Sequence, residues 1–330
     1  MFLIALEFNN ASCLLAWSRN ARVLSFLTSF TTFPSSSHVS NMVYQNLLNF
    51  LWSYPHDFHI SDWCTVIVVT CLFGLLELKQ PFHQMFSLDD RSLQHPFTVH
   101  ERVPTLLMLV IDVGIPSISI FIGSLFTGEI GQKLHLLHVS ILGFASSFVF
   151  TGFLTNFLKI CIGRPRPDFL ARCVPYENTP VHELVTSAVC STKNLSRLNE
   201  GFKSAPSGHS SLSFAVFFYL ALWICGQLKT FAQGNTYKHY SYKLFIALIP
   251  LLISGFIAIS RTEDYRHHPT DVLSGTILGV FVGYVSYRAF FPSLLSTYPN
   301  LPYSASQHSY RNSNSFDSSS LSDYDVTLEA

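Results

Sequence analysis

The sequence predicts an all-α, polytopic membrane protein: a six-transmembrane-helix bundle with its active site at helix ends on one membrane face. Three observations carry this. Of the 330 residues, 48% are hydrophobic and only 12% are Asp, Glu, Lys or Arg, against about 25% charged in soluble domains. Six apolar stretches approach the length of about 17–25 residues that a helix needs to cross a bilayer. The charge that remains gathers in two inter-span segments, after the third and fifth spans.

The spans fall at 60–78, 103–126, 134–158, 210–228, 244–259 and 272–291. Glu77 and Lys79 close the first, and Pro104 opens the second. Backbone polar groups find no water in hydrocarbon and must bond within their own segment, so each span is expected to be helical. The first and fifth are short, which leaves their ends least defined. Residues 42–292 therefore form the core. Ahead of them, 1–41 reads as an extension, because Glu7 interrupts an apolar start and makes a poor signal peptide. Behind them, 293–330 is rich in Ser, Asn and Tyr with scattered Asp, the composition of a disordered tail.

Twenty basic residues balance twenty acidic ones, so no global field draws nucleic acid. No obligate protein partner is expected, and the oligomeric state is not legible. Of seven cysteines, Cys64, Cys71 and Cys225 lie in apolar spans and read as packing residues. Cys173 and Cys190 share one long polar segment, where pairing would require an oxidising lumen. No His/Cys cluster has zinc spacing, and neither a metal nor another cofactor is expected. Asp112, a lone carboxylate in the second span, reads as paired within the bundle rather than as part of a polar path.

If each stretch crosses once, the segment 159–209 and the segment 260–271 emerge on the same face and build one site framed by helix ends. The first contains Lys159, then Arg166-Pro167, and later Pro206-Ser207-Gly208-His209; the second runs from Ser260-Arg261 through His267 to Asp271. These residue types suit phosphoryl transfer. Charge on the phosphoryl oxygens must be held by fixed donors. Arg166 and Arg261 offer planar forks, Lys159 a point charge, and Ser207 a hydroxyl. Gly208, without Cβ, lets helix N-terminal amides approach an anion. A neutral imidazole, His267, can attack phosphorus. Asp271 is placed to accept that ring's other N–H and fix its tautomer. His209 is the candidate acid for the departing oxygen. Singly, each has a plain reading as a membrane-edge cation, a turn or a helix cap; together on one face they point to one anion.

The three segments resemble the signature of the type 2 phosphatidic acid phosphatase superfamily, the lipid phosphate phosphatases: K-x6-R-P, P-S-G-H and S-R-x5-H-x3-D, all matched. The resemblance covers about 43–291. It implies six transmembrane helices, no metal, a phosphorylated His267 supported by Asp271, His209 as acid, and phosphate held by Lys159, Arg166, Ser207, Gly208 and Arg261. His267 rather than His268 keeps both spacings. Phe86-Ser-Leu-Asp-Asp90, Glu101-Arg-Val-Pro104, Asp168-Phe-Leu-Ala-Arg172 and Asp264-Tyr-Arg-His267-His268 are similar to the fungal and plant branch, which includes diacylglycerol pyrophosphate phosphatases that also act on phosphatidate. The implied substrate is thus a phospholipid in the membrane. Alternatives are sphingoid or isoprenoid (pyro)phosphates, or a non-catalytic lipid-phosphate-binding relative. A D-x-D aspartate phosphatase is not expected, because Asp323-Tyr-Asp325 sits in the polar tail.

Cations on the site side would by themselves make that side cytoplasmic, but several belong to the phosphate site. The resemblance implies the opposite: cytosolic termini, a luminal or exterior site, and an endomembrane location in vacuole, Golgi or endoplasmic reticulum. The sequon Asn194-Leu-Ser196 in the site segment fits the luminal side.

Overall fold

A computed structural model describes residues 59–126, 130–233 and 241–303. Its helices belong to a compact unit that begins at Ser61. The expectations for 1–41 and for 304–330 lie outside the described residues. Eight α-helices and no strands are present among those described: α1 Ile60–Glu77, α2 Thr105–Ser124, α3 Ile130–Ile162, short α4 Phe169–Cys173 and α5 Leu195–Gly201, then α6 Gly208–Gln227, α7 Ser241–Glu263 and α8 Pro269–Phe290. Six of them, α1, α2, α3, α6, α7 and α8, are long and apolar enough to cross a membrane. The protein is a multi-pass helical membrane protein.

The expected spans and the helices agree in number and order, but the polar ends differ. Hydropathy stops where charge begins, whereas backbone hydrogen bonding continues. So α3 runs on to Ile162 and carries Lys159, α7 runs to Glu263 and carries Arg261, and α8 starts at Pro269 with Asp271 in its first turn. Pro269 is well suited to a first helical position, since its missing N–H would have no partner there.

α6 is the centre of the bundle, packed against α8, α7, α3 and α2. Its inner face contributes Val216, Phe217, Tyr219, Leu220 and Trp223 to the core. The closest pairing is with α8, through a glycine stripe. A Cβ at Gly275, Gly279 or Gly283 would sit 2.5, 2.3 and 2.5 Å from the carbonyl oxygens of Ser207, Ser211 and Ala215. Small residues at this spacing let two helix backbones touch where lipid offers little hydrophobic drive for association. The contact also sets the separation between the start of α6 and the start of α8, which is where the polar residues lie.

Several buried polar groups within the bundle find partners. Both carboxylate oxygens of Asp112 lie within reach of the Ser213 hydroxyl, at 3.0 and 2.9 Å. The Trp223 indole donates to Ser140 Oγ at 2.8 Å, and Tyr219 Oη donates to the Ser140 carbonyl at 2.9 Å. Outward-facing Leu106, Val110, Leu252, Phe256, Ile277 and Phe281 are exposed, as lipid contact requires.

The segments 78–104 and 163–207 dock on each other over the site end of the bundle. Phe86 and Val185 exchange backbone hydrogen bonds of 3.0 and 2.8 Å. Beneath them a small core of Phe86, Leu93, Phe169, Cys173, Val185, Leu198 and Phe202 excludes water. Cys173 and Cys190 are joined as a disulfide, which closes the segment onto α4. The chain beyond α8 is ordered further than composition suggested. Leu294 packs against the main core, Gln227 donates to the Asn300 carbonyl at 3.0 Å, and the Arg288 guanidinium lies over the Tyr303 ring. The tail predicted from 293 therefore includes a stretch, 293–303, that packs on the bundle; its apolar Leu294, Pro299 and Leu301 are what the polar composition masks.

Candidate active site

Four helix ends and two connecting turns meet on one face. α3 delivers Lys159, whose ammonium donates to the Lys203 carbonyl at 2.9 Å. The chain then turns at Gly163, with φ +63° and a Cβ position only 1.8 Å from the Phe82 carbonyl oxygen; glycine alone fits there. The turn brings Arg164 and Arg166 back over the helix ends. The Arg166 backbone N–H donates to the Gly201 carbonyl at 2.8 Å. One terminal nitrogen of Arg166 lies 3.4 Å from Glu200, while its Nε is buried without a partner.

α6 begins at Gly208 after Ser207, which is fully buried and whose hydroxyl also has no partner among the described residues. A Cβ on Gly208 would come within 3.6 Å of the Lys159 side chain, so Lys159 runs alongside the helix start. The Ser207 backbone N–H donates to the Asp271 carbonyl at 2.9 Å, which ties the start of α6 to that of α8. A buried polar atom without a partner costs about 1–3 kcal/mol. The Ser207 hydroxyl, next to the start of α6 and to Lys159, and the Arg166 guanidinium are groups that a bound oxyanion would satisfy.

The histidines divide clearly. His267 is 4% exposed, and its Nδ1 lies 2.6 Å from the Ser204 carbonyl. A carbonyl only accepts, so Nδ1 carries the proton and Nε2 keeps its lone pair. His268 instead directs Nε2 to the Pro165 carbonyl at 3.2 Å, which commits that nitrogen as a donor. The two rings thus offer different nitrogens, Nε2 on His267 and Nδ1 on His268. His209 donates from Nε2 to the Val103 carbonyl at 3.2 Å. Burial first, and then the charges of Lys159 and Arg166, hold His267 well below the ordinary histidine range. Burial and the charge of Arg172 press Arg166 down to about 10, so it remains a cation near neutrality. Burial opposes the charged form of Glu200, but Arg166 and Lys203 outweigh it and keep that carboxyl below its usual value.

A pH consequence follows with a definite sign. A depressed His267 stays neutral as pH falls through 6.5, the ordinary value, and protonates only below it. Inactivation of the free protein by an imidazole-acylating reagent, in the fraction that inorganic phosphate protects, is expected to persist below pH 6.5. Loss of that fraction along an ordinary histidine titration curve would contradict the assignment.

Two expectations need correction. Asp271 does not accept from the His267 ring. Its carboxylate receives Arg164 Nη1 at 2.6 Å, the Ser204 hydroxyl at 2.5 Å and the His268 backbone N–H at 3.1 Å. The x3 spacing places Asp271 in the first turn of α8, where the carboxylate folds back to cap the helix instead of reaching the ring. Arg261, 1% exposed, is also more committed than a free phosphate fork. It bonds Glu101 at 2.8 Å, Asp264 at 2.8 Å and Ser260 Oγ at 3.2 Å. Each terminal nitrogen has a second N–H beyond these bonds.

Glu101 also bonds Arg266 at 2.8 Å, and Arg266 reaches Asp168 at 3.2 Å, which receives Arg172 at 2.8 and 2.9 Å. The guanidinium groups of Arg172, Arg197 and Arg266 surround the Phe97 ring at 4.9, 4.0 and 4.5 Å. Glu101, Asp168, Arg172 and Arg266 stand inside the segments quoted for the fungal and plant branch, without a role assigned to them there. Phe97, Arg164, Arg197, Ser204 and Glu200 were not singled out from sequence.

A profile of the PAP2 superfamily matches residues 140–294. Diacylglycerol pyrophosphate phosphatase 1 of Saccharomyces cerevisiae is 38% identical over 244 residues, which cover 74% of this chain and 83% of that one. The chain belongs to the PAP2 superfamily. Probable diacylglycerol pyrophosphate phosphatase 1 of Schizosaccharomyces pombe is 39% identical over 236 residues, 71% of this chain and 82% of its own. Lipid phosphate phosphatase 2 of Arabidopsis thaliana is 34% identical over 236 residues, with 71% and 78% covered. No solved structure matches the chain. The PAP2 match spans all eight site residues read from sequence, together with Arg164 and Ser204. Glu101 and Phe97 lie upstream of it, so the docked segment 78–104 adds partners outside the matched PAP2 stretch.

Proposed function

We propose that the protein is a lipid phosphate phosphatase that hydrolyses phosphatidate, diacylglycerol pyrophosphate or both through a phosphohistidine, without a metal. The observation that carries this reading is His267: a buried neutral imidazole, its Nδ1 proton held by Ser204, beside Lys159 and Arg166 and near the unpartnered Ser207 hydroxyl. The substrate class is supported by the names of the relatives.

In this reading the phosphate head sits among Lys159, Arg166, Ser207, the Gly208 amide and the remaining N–H groups of Arg261. The Nε2 lone pair of His267 attacks phosphorus and forms a P–N bond as the P–O bond to the leaving group breaks. His209, protonated on both ring nitrogens, gives its Nδ1 proton to the departing oxygen while its Nε2–H stays on the Val103 carbonyl. Water, relieved of a proton by His209, then attacks phosphorus, the P–N bond breaks, and phosphate and neutral His267 are restored. The cations supply the charge stabilisation for which other phosphatases use metal ions. Helix ends at the membrane face let the head group reach the site while acyl chains stay in lipid.

The site face is proposed to be luminal or exterior, in an endomembrane. The Cys173–Cys190 disulfide supports this, since such bonds persist in oxidising compartments. So does Asn194, exposed at the start of α5 on the same face, its side-chain Oδ1 accepting from the Arg197 N–H at 2.9 Å. Treatment with an N-glycosidase is expected to increase gel mobility for wild type and not for Asn194→Gln. Labelling of the site face from the cytosolic side of sealed vesicles would overturn the orientation.

The function is tested by phosphate release from phosphatidate and diacylglycerol pyrophosphate in excess EDTA. Release at the rate seen without EDTA is expected. Loss of release that added divalent cations restore would refute the metal-free mechanism. No release from either lipid under any condition would redirect the substrate to sphingoid or isoprenoid phosphates.

A further inference from the structure

The sequence suggested a carboxylate in direct contact with the nucleophilic ring. The atoms are arranged differently, and one residue occupies the gap. Ser204 is fully buried. Its carbonyl accepts the His267 Nδ1–H at 2.6 Å, and its hydroxyl donates to Asp271 Oδ2 at 2.5 Å. Its own N–H donates to the Arg164 carbonyl at 3.1 Å, and the Arg164 guanidinium returns to Asp271 Oδ1 at 2.6 Å. Every hydrogen-bonding group of the residue is thus engaged: the carbonyl by the ring, the hydroxyl by the carboxylate and the N–H by the Arg164 carbonyl.

We infer that Ser204 is a positioning residue, through which Asp271 and Arg164 set the tautomer and orientation of His267. This rests on His267 being the nucleophile. The physical argument concerns the peptide group of Ser204. A carbonyl can hold Nδ1–H only if the peptide plane is fixed, and a peptide in a connecting segment is not fixed by helix bonds. The hydroxyl–carboxylate bond anchors it from one side and the N–H to Arg164 from the other. Asp271 in turn is immobile because it caps α8 through the His268 N–H at 3.1 Å. The rigid frame is therefore the helix start, and Ser204 carries that rigidity to the ring. Charge-assisted bonds of this kind are stronger than neutral ones, and groups that orient a reacting ligand from behind typically change activity by about 10–100-fold when removed.

The role differs from a purely structural one in what it predicts. Ser204→Ala removes the hydroxyl and keeps the carbonyl. Its kcat is expected to fall about 10–100-fold with KM within about twofold, because ground-state phosphate binding uses other residues. Ser204→Thr, which retains the hydroxyl, is expected to recover most of the rate. In an Asp271→Asn background, adding Ser204→Ala should cost little further, since the two act through one linkage.

The experiment is a double-mutant cycle of Ser204→Ala and Asp271→Asn on full-length protein in detergent, reading kcat and KM on phosphatidate beside phosphoryl transfer to the enzyme. Sub-additive losses in kcat support the inference. Losses that multiply independently, an effect confined to KM, or a normal kcat in Ser204→Ala would overturn it. Wild-type phosphoenzyme on His267 keeps these outcomes separate from failure of the parent reading, in which no phosphohistidine forms at all.

Discussion

His267→Ala is expected to abolish lipid phosphate hydrolysis, with a loss of at least about a thousandfold, the scale seen when a nucleophile is removed from a preorganised site. The helices should be unaffected. His267 follows α7 and precedes α8, and among the described residues its ring hydrogen-bonds to the Ser204 carbonyl. Removing it leaves the glycine contact between α6 and α8 and the Asp271 cap in place. Detergent-solubilised variant and wild type should therefore give the same monodisperse elution and the same helical circular dichroism. His268→Ala is the informative companion. That ring bonds the Pro165 carbonyl and should affect activity far less. Retained turnover in His267→Ala, or a larger loss in His268→Ala, would move the nucleophile.

The second large effect is structural. Gly279→Ala should strongly reduce the yield of folded protein, because its new Cβ would meet the Ser211 carbonyl at 2.3 Å and the Ala215 nitrogen at 3.0 Å. Both are backbone atoms of α6 and cannot move aside as a side chain can. Overpacking of this kind costs about 1–3 kcal/mol or more, and here it separates the helix starts that carry Ser207 and Asp271. Gly255→Ala in α7 is the matched control. No atom lies within 4 Å of its Cβ position, so it should be neutral or gain up to about 1 kcal/mol from helix propensity. Equal behaviour of the two variants in thermal unfolding would refute the account of how α8 is seated.

These predictions show where sequence and structure part company. Hydropathy found all six spans because bilayer thickness imposes a length on each. It missed their polar ends, since Lys159, Arg261 and Asp271 carry charge yet continue a backbone hydrogen-bonded helix. The candidate site residues stood out in the sequence because phosphate chemistry demands rare residue types at helix starts and turns. Their partners were not. Asp271 looked like a ring acceptor from its spacing to His267, but a carboxylate in a first helical turn is drawn to the open N–H groups of its own helix. Ser204 and Glu101 are ordinary residues whose roles arise only when segments distant in sequence dock. The glycine stripe was present in the sequence, yet its meaning depended on knowing that α6 lies opposite.

In the proposed mechanism, a neutral nucleophile is prepared among cations. Burial disfavours protonation of His267 most, and the charges of Lys159 and Arg166 add to it. The cations proposed to bind phosphate would thus also keep the imidazole ready to attack. Glu200 pairs with Arg166 at 3.4 Å and with Lys203 at 3.0 Å.

The central claim is that phosphate passes through His267. The most direct measurement is to react the purified protein with lipid labelled in its phosphate, quench in base, and locate the label by peptide mass spectrometry. The account predicts an acid-labile, base-stable phosphoryl group on the peptide that contains His267, absent in His267→Ala. Label on another residue, or full turnover with no covalent phosphoryl at any time point, would contradict it.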